Sequence, residues 1–149
     1  MAKTIMLLHV LFATIWLGGS IYTESLLAGA NRSGSPKEAM RTLSSVVRTN
    51  DRLFGAAGAG TVVFGFWLVI VTTWEFEMGW VAGGLVLALV AIALAIAFVK
   101  PKGQAFNDLI GERGLDDPEV LALGKQLQMA LHAQTGILFV ALLLMVYKP

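Results

Sequence analysis

The sequence predicts an all-α fold: a transmembrane four-helix bundle with a short amphipathic cytoplasmic helix and both termini extracytoplasmic. Three observations predict it. Hydrophobic residues make up 56% of the 149 and charged residues only 14%, with a mean hydropathy of +0.73, far from the composition of a soluble domain. The apolar residues gather into four runs of about 20, the length that crosses a hydrocarbon core. The basic residues are distributed unevenly among the segments that join those runs.

A single integral membrane domain, residues 1–149, accommodates the four spans. The first covers about 4–28; only Lys3 precedes it and no small-residue cleavage site follows, so it reads as a retained span rather than a signal segment. The second, about 53–74, is uncharged between Arg52 and Glu75. The third, about 79–99, is charge-free and closes at Lys100-Pro101. The fourth, about 128–147, ends just before Lys148-Pro149. Lipid offers backbone groups no external partner, which makes all four helices.

The connections carry their own signals. Asn31-Arg32-Ser33-Gly34-Ser35-Pro36 is a turn and helix start: Ser35 can cap, Pro36 suits the first helical position, and Glu38 completes a capping box. A short amphipathic helix over 36–47 is expected to lie along the membrane surface. The tight link at 75–78 makes spans two and three an antiparallel hairpin, flanked by Trp74 and Trp80 at interfacial depth. A loop is expected through Gly111, Gly114 and Asp116-Asp117. Pro118 then starts a helix of about 30 residues that runs into span four.

Nine basic residues, Arg32, Lys37, Arg41, Arg48, Arg52, Lys100, Lys102, Arg113 and Lys125, lie in or beside the first and third connections, against Lys3 and Lys148 elsewhere. The bias puts both long connections in the cytoplasm and both termini outside. A net charge of +1 gives no electrostatic case for nucleic acid, and the absence of cysteine excludes disulfides, thiolate zinc and iron–sulfur clusters. Gly55, Gly58, Gly60 and Gly65 in span two, and Gly84, Ala88, Ala91 and Ala95 in span three, recur at helical spacing. Small residues so placed allow close helix approach, within the bundle or against another subunit.

Two seams could carry chemistry. In span one, His9, Ala13, Trp16, Ser20 and Thr23 share a stripe with Met6 and Glu24 at its edge, a face that suits protein, a cofactor or a cavity rather than lipid. In span four, His132 shares a stripe with Lys125, Gln128, Gly136 and Phe139, with Thr135 at the edge. Two intramembrane histidines suggest haem b ligation, with His9, Trp16 and His132 as cofactor-binding candidates. Their depths differ by roughly 15 Å, which argues against one shared iron. Met6 and His9, with Met1, Met78 and Met145 at similar depth, form a thioether–imidazole set of the kind Cu(I) prefers. Near the cytoplasmic interface Glu24, Arg48, Asp51, Arg52, Gln128 and His132 form a polar cluster, in which Glu24 is expected to pair with Arg52 or Arg48. It reads either as an ion-paired pin for the bundle or as a proton-linked, quinone or haem-propionate site. No phosphate loop, nucleophile triad or zinc motif is present, so no catalytic residue is assigned.

His9 followed after six residues by Trp16-Leu17-Gly18-Gly19 resembles the first span of the CopD-like group of bacterial membrane proteins, and more distantly the HemJ-like protoporphyrinogen oxidases. Asp51-Arg52, Lys100-Pro101 and the closing Met145-Val146-Tyr147-Lys148-Pro149 are similar to a family of four-span predicted integral membrane proteins of about this length. That resemblance implies membrane location and a four-helix bundle, with His9 and Trp16 on a functional face. The expected role is non-enzymatic: an accessory subunit of a larger membrane complex, or a small module handling metal or haem. The alternatives are a haem b- or quinone-linked redox protein using His9 or His132, and copper handling at the Met/His face. Expected partners are the lipid bilayer and other membrane subunits, or further copies of the chain.

Overall fold

The computed structural model describes residues 1–147, apart from the side chains of residues 50–52. Every regular element among the described residues is a helix: α1 (Ala2–Arg32), α2 (Pro36–Val71), α3 (Gly79–Leu94), a π-helical turn (Ala95–Val99), α4 (Lys100–Arg113) and α5 (Pro118–Tyr147). Four stretches are long and apolar enough to cross a membrane: Ala2–Arg32, Leu53–Val71, Gly79–Arg113 and Pro118–Tyr147. The closing Lys148-Pro149 lies outside the described residues.

The turns form where the sequence places them. Gly34 adopts φ +74° between α1 and α2, and Gly114 φ +85° between α4 and α5, a region open to glycine because it has no Cβ. The Ser35 hydroxyl accepts from the Glu38 N–H at 3.3 Å. The reciprocal half of the expected box is replaced: the Ser35 N–H donates to Ser33 Oγ at 3.4 Å. At the opposite end of the bundle, Trp74 and Trp80 meet edge to face at 5.1 Å across the hairpin.

Two expected breaks are absent. The amphipathic stretch 36–47 is not a separate helix on the membrane surface but the first third of α2, which runs 36 residues without interruption. Its apolar stripe has a better partner than lipid: Ala39, Met40 and Leu43 pack with Leu27, Phe106, Val120 and Leu127 in a closed core. Likewise, the helix of span three does not close at Lys100-Pro101. A proline ring collides with the carbonyl four residues back in a regular α-helix. Here the preceding turn is widened, with the Lys100 N–H donating to Ala95 O, and the helix passes through Pro101 into α4. The third connection thus shrinks to the short turn around Gly114.

At 1.5 Å per residue α2 is about 54 Å long, against roughly 30 Å of hydrocarbon. The bundle therefore extends past a bilayer at the end carrying the Gly34 and Gly114 turns, called the loop end below. The core there is built from large side chains; Leu43, Phe106, Val120 and Leu127 are fully buried. Lys102 ties α4 to α5 by donating to Gln126 Oε1 at 2.6 Å while lying 4.6 Å over the Phe98 ring. Ser44 joins α2 to α4 through Asn107 Oδ1 at 2.6 Å.

Within the spans the core is small, centred on Trp16, Ala57, Ala88, Ala91 and Leu138, and α1 and α2 are joined by a repeated device. Side chains of one helix sit on glycines of the other: His9 on Gly65, Phe12 on Gly60, Trp16 on Gly58 and, reciprocally, Phe54 on Gly19. A Cβ at Gly60 would lie 2.5 Å from Phe12 Cδ1, and one at Gly58 would lie 3.2 Å from Trp16 Cζ2. The glycines of span two thus admit rings, rather than bringing two backbones together. Between α3 and α5, Gly84 receives the Met145 side chain and Gly83 that of Leu144.

Gly60→Ala should therefore destabilise the detergent-solubilised protein by about 1–3 kcal/mol, the range for overpacking a filled contact. Gly55→Ala, facing open space, should be neutral or stabilising by up to about 1 kcal/mol through helix propensity. Thermal melting followed by circular dichroism checks both; equal effects would refute the ring-on-glycine seam.

Candidate functional site

The polar stripe of α1 faces the interior: Trp16, Ser20 and Thr23 are buried and His9 is half-buried. Ser20 Oγ satisfies its own hydrogen internally by donating to Trp16 O at 2.9 Å. One turn further along α1, Glu24 meets α5. Its Oε2 is in close contact with His132 Nδ1, and its Oε1 accepts from Thr135 Oγ1 at 3.3 Å. The Glu24 side chain is 19% exposed and that of His132 59%, so the histidine caps the carboxylate toward the outside. A charge at this depth is stable only when paired and hydrogen-bonded; Oε1 is hydrogen-bonded, while Oε2, buried, has the His132 ring as its one close polar neighbour among the described residues.

Behind the carboxylate lies a small cavity of about 10 Å³, lined by Ser20, Thr23, Glu24, Phe54, Leu131, Gln134 and Thr135. It brings α1, α2 and α5 together at the point where the large loop-end core gives way to the small-residue core of the spans. On the loop side of it, Gln128 Oε1 accepts from Asn31 Nδ2 at 3.4 Å, while Gln128 Nε2 is buried without a partner.

His9 is held elsewhere. Its Nδ1 lies 2.8 Å from Thr61 O; a carbonyl can only accept, so Nδ1 is the donor and a neutral ring carries its lone pair on Nε2. The ring fits against Gly65, where a Cβ would stand 2.9 Å from His9 Cε1. His132 pairs with Glu24, and the interval from position 9 to position 24 along α1 is about 22 Å at 1.5 Å per residue. One haem iron cannot be shared by the two imidazoles within the chain.

The remaining candidates are dispersed. Met6 and Met1 are exposed, whereas Met145 packs on Gly84 of α3. Trp16 is buried against Gly58 with its Nε1 unpartnered. Arg48 is exposed and, among the described residues, makes no ion pair with Glu24. The expected Glu24–Arg48 pairing is thus replaced by Glu24–His132, because the α1 stripe presents the carboxylate to α5. The side chains of Asp51 and Arg52, and with them the alternative pairing to Arg52, lie outside the described residues. Among the described residues no three His, Cys, Asp or Glu side chains converge to hold a metal ion.

Sequence reasoning missed Gln134 and gave Thr135 only an edge position. The signal was available: His132, Gln134 and Thr135 interrupt an otherwise apolar stretch, and polar side chains in a span face the bundle interior.

A double-mutant cycle of Glu24→Gln and His132→Asn should return a coupling of about 0.5–3 kcal/mol, the range for residues in contact. Additive effects on melting would refute the pair.

Searches of curated proteins and of solved structures return no match. The family model described as "Predicted integral membrane protein (DUF2269)" matches residues 3–149. With that match spanning all five helices, and four stretches apolar enough to cross a bilayer, the chain belongs to the DUF2269 family of predicted integral membrane proteins.

Proposed function

We propose that this chain is a non-enzymatic module of a bacterial inner membrane, an accessory subunit of a larger membrane complex, with both termini outside. One observation carries the reading: only 17–22% of the residues in the most apolar window of each span are buried inside the chain. The helices hold one another through narrow glycine seams and leave wide faces uncovered. On one of these faces Phe12, Phe64 and Trp67 stack in a continuous row, at centroid distances of 5.5 and 6.5 Å, with Trp67 41% exposed. Rigid aromatic surface of this kind suits packing against another helix. Basic residues concentrated at the loop end support its cytoplasmic placement.

A photo-crosslinking residue at position 67 should capture a discrete protein, a foreign subunit or a second copy, in native membranes. Adducts with lipid alone would reject the subunit reading. The lack of native cysteine makes orientation directly measurable: Glu77→Cys should label from outside intact cells and Glu112→Cys only in inverted vesicles. The reverse pattern would overturn the topology.

A second reading, a haem b-linked redox protein, draws support from His9. Its Nδ1–H is held by the Thr61 carbonyl and its Nε2 is left as the acceptor, the arrangement that orients an imidazole for ligation. A haem b absorbance in natively purified protein that His9→Ala abolishes would favour it; a colourless preparation would exclude it.

A further inference from the structure

We propose that the cavity between α1, α2 and α5 holds one water molecule, and that this water, Glu24 and His132 form a proton-binding site entered from outside the bundle through His132. The inference does not depend on which partner, if any, the chain binds.

Two independent observations point to an occupant. The cavity measures about 10 Å³, at the threshold for a single water and too small for an organic ligand. Gln134, only 5% exposed, lines it and makes no hydrogen bond to any described residue. An amide in so buried a residue calls for hydrogen-bond partners, and a water in the cavity it lines supplies them. The donor count fits. Ser20 Oγ has committed its hydrogen to Trp16 O, and Thr135 Oγ1 points its own at Leu131 O and Glu24 Oε1. Both hydroxyls therefore present lone pairs, the carboxylate accepts, and the Gln134 amide both donates and accepts. One water can accept from the Gln134 N–H and donate twice to the surrounding oxygens.

His132 gives this site a port. Its ring is more than half exposed while its Nδ1 addresses Glu24 Oε2. A proton taken up at Nε2 from the aqueous side lets the Nδ1 proton pass to Glu24 Oε2. The ring is then neutral with its proton on Nε2, and the carboxyl is neutral with its Oε2–H donating to the emptied Nδ1. The net event is one proton bound by Glu24, with the ring left as its Nε2–H tautomer. The ionisable groups around the pair are few. Glu24 and His132 have no other ion-pair partner among the described residues. On α2, Arg48 is exposed and the side chains of Asp51 and Arg52 lie outside the described residues. On α5, the near neighbours Gln128, Gln134 and Thr135 are uncharged.

Infrared difference spectra of the reconstituted full chain between neutral and acidic pH test this. Acidification should produce a carboxylic C=O band that is absent in Glu24→Gln, and an O–H stretch that shifts in oxygen-18 water. Gln134→Leu should abolish the oxygen-18-sensitive stretch, and His132→Asn should slow hydrogen–deuterium exchange of the carboxyl by an order of magnitude. The wild-type oxygen-18 shift tests the water without any substitution, should Gln134→Leu fail to fold. A carboxyl band that survives Glu24→Gln, or the absence of any oxygen-18-sensitive stretch, would overturn the proposal. Carboxylate bands that respond to sodium at constant pH would overturn it in favour of a cation site.

Discussion

The seam between α1 and α2 fixes the rest of this structure. Four rings are set on four glycines in antiparallel register, from His9 on Gly65 to Phe54 on Gly19. In lipid no hydrophobic force drives helices together, so association depends on contact area and close approach. A bare backbone lets an aromatic face lie flat against the neighbouring helix, which maximises that contact. Because the register is locked by shape, the rotation of α1 is locked as well. Glu24, two turns beyond Trp16, is thereby turned toward His132 and Thr135 of α5.

The bundle is built for two solvents. At the loop end, where the helices run past the bilayer, the core is Leu, Phe, Val and Met, fully buried, as expected where water drives apolar surface inward. Within the spans it is three alanines, Trp16 and Leu138, and many of the large aliphatic side chains point outward. The polar site sits at the junction. Phe54 closes the cavity from α2, Leu131 from α5, and the carboxylate is near enough to the aqueous end for His132 to reach outward from it.

The two histidines share a residue type and little else. His9 is docked to a main-chain carbonyl through a glycine notch, an arrangement that fixes its tautomer. His132 is docked to a carboxylate, an arrangement in which a proton can be exchanged. The interval from His9 to Glu24 along α1, about 22 Å at 1.5 Å per residue, places the two imidazoles at different depths.

The sequence by itself determined the helices, the four apolar runs, the turns at Gly34 and Gly114, the interior-facing stripe of α1 and the membrane location, because composition, periodicity and glycine stereochemistry are local properties. It also marked Glu24 and His132 as residues of one cluster, since two polar groups at similar depth in a bilayer need partners. Only the tertiary structure decided that Glu24 meets His132 and not Arg48, that the amphipathic stretch joins α2, and that the helix continues through Pro101. Each of those outcomes depends on what lies opposite. An apolar stripe stays on a membrane surface only if no core is offered to it, and here Leu27, Phe106 and Val120 offer one. A proline ends a helix only if the preceding turn cannot widen, and here it does. A carboxylate meets the side chain its helix is rotated toward, and that rotation is set by rings resting on glycines far away in the sequence.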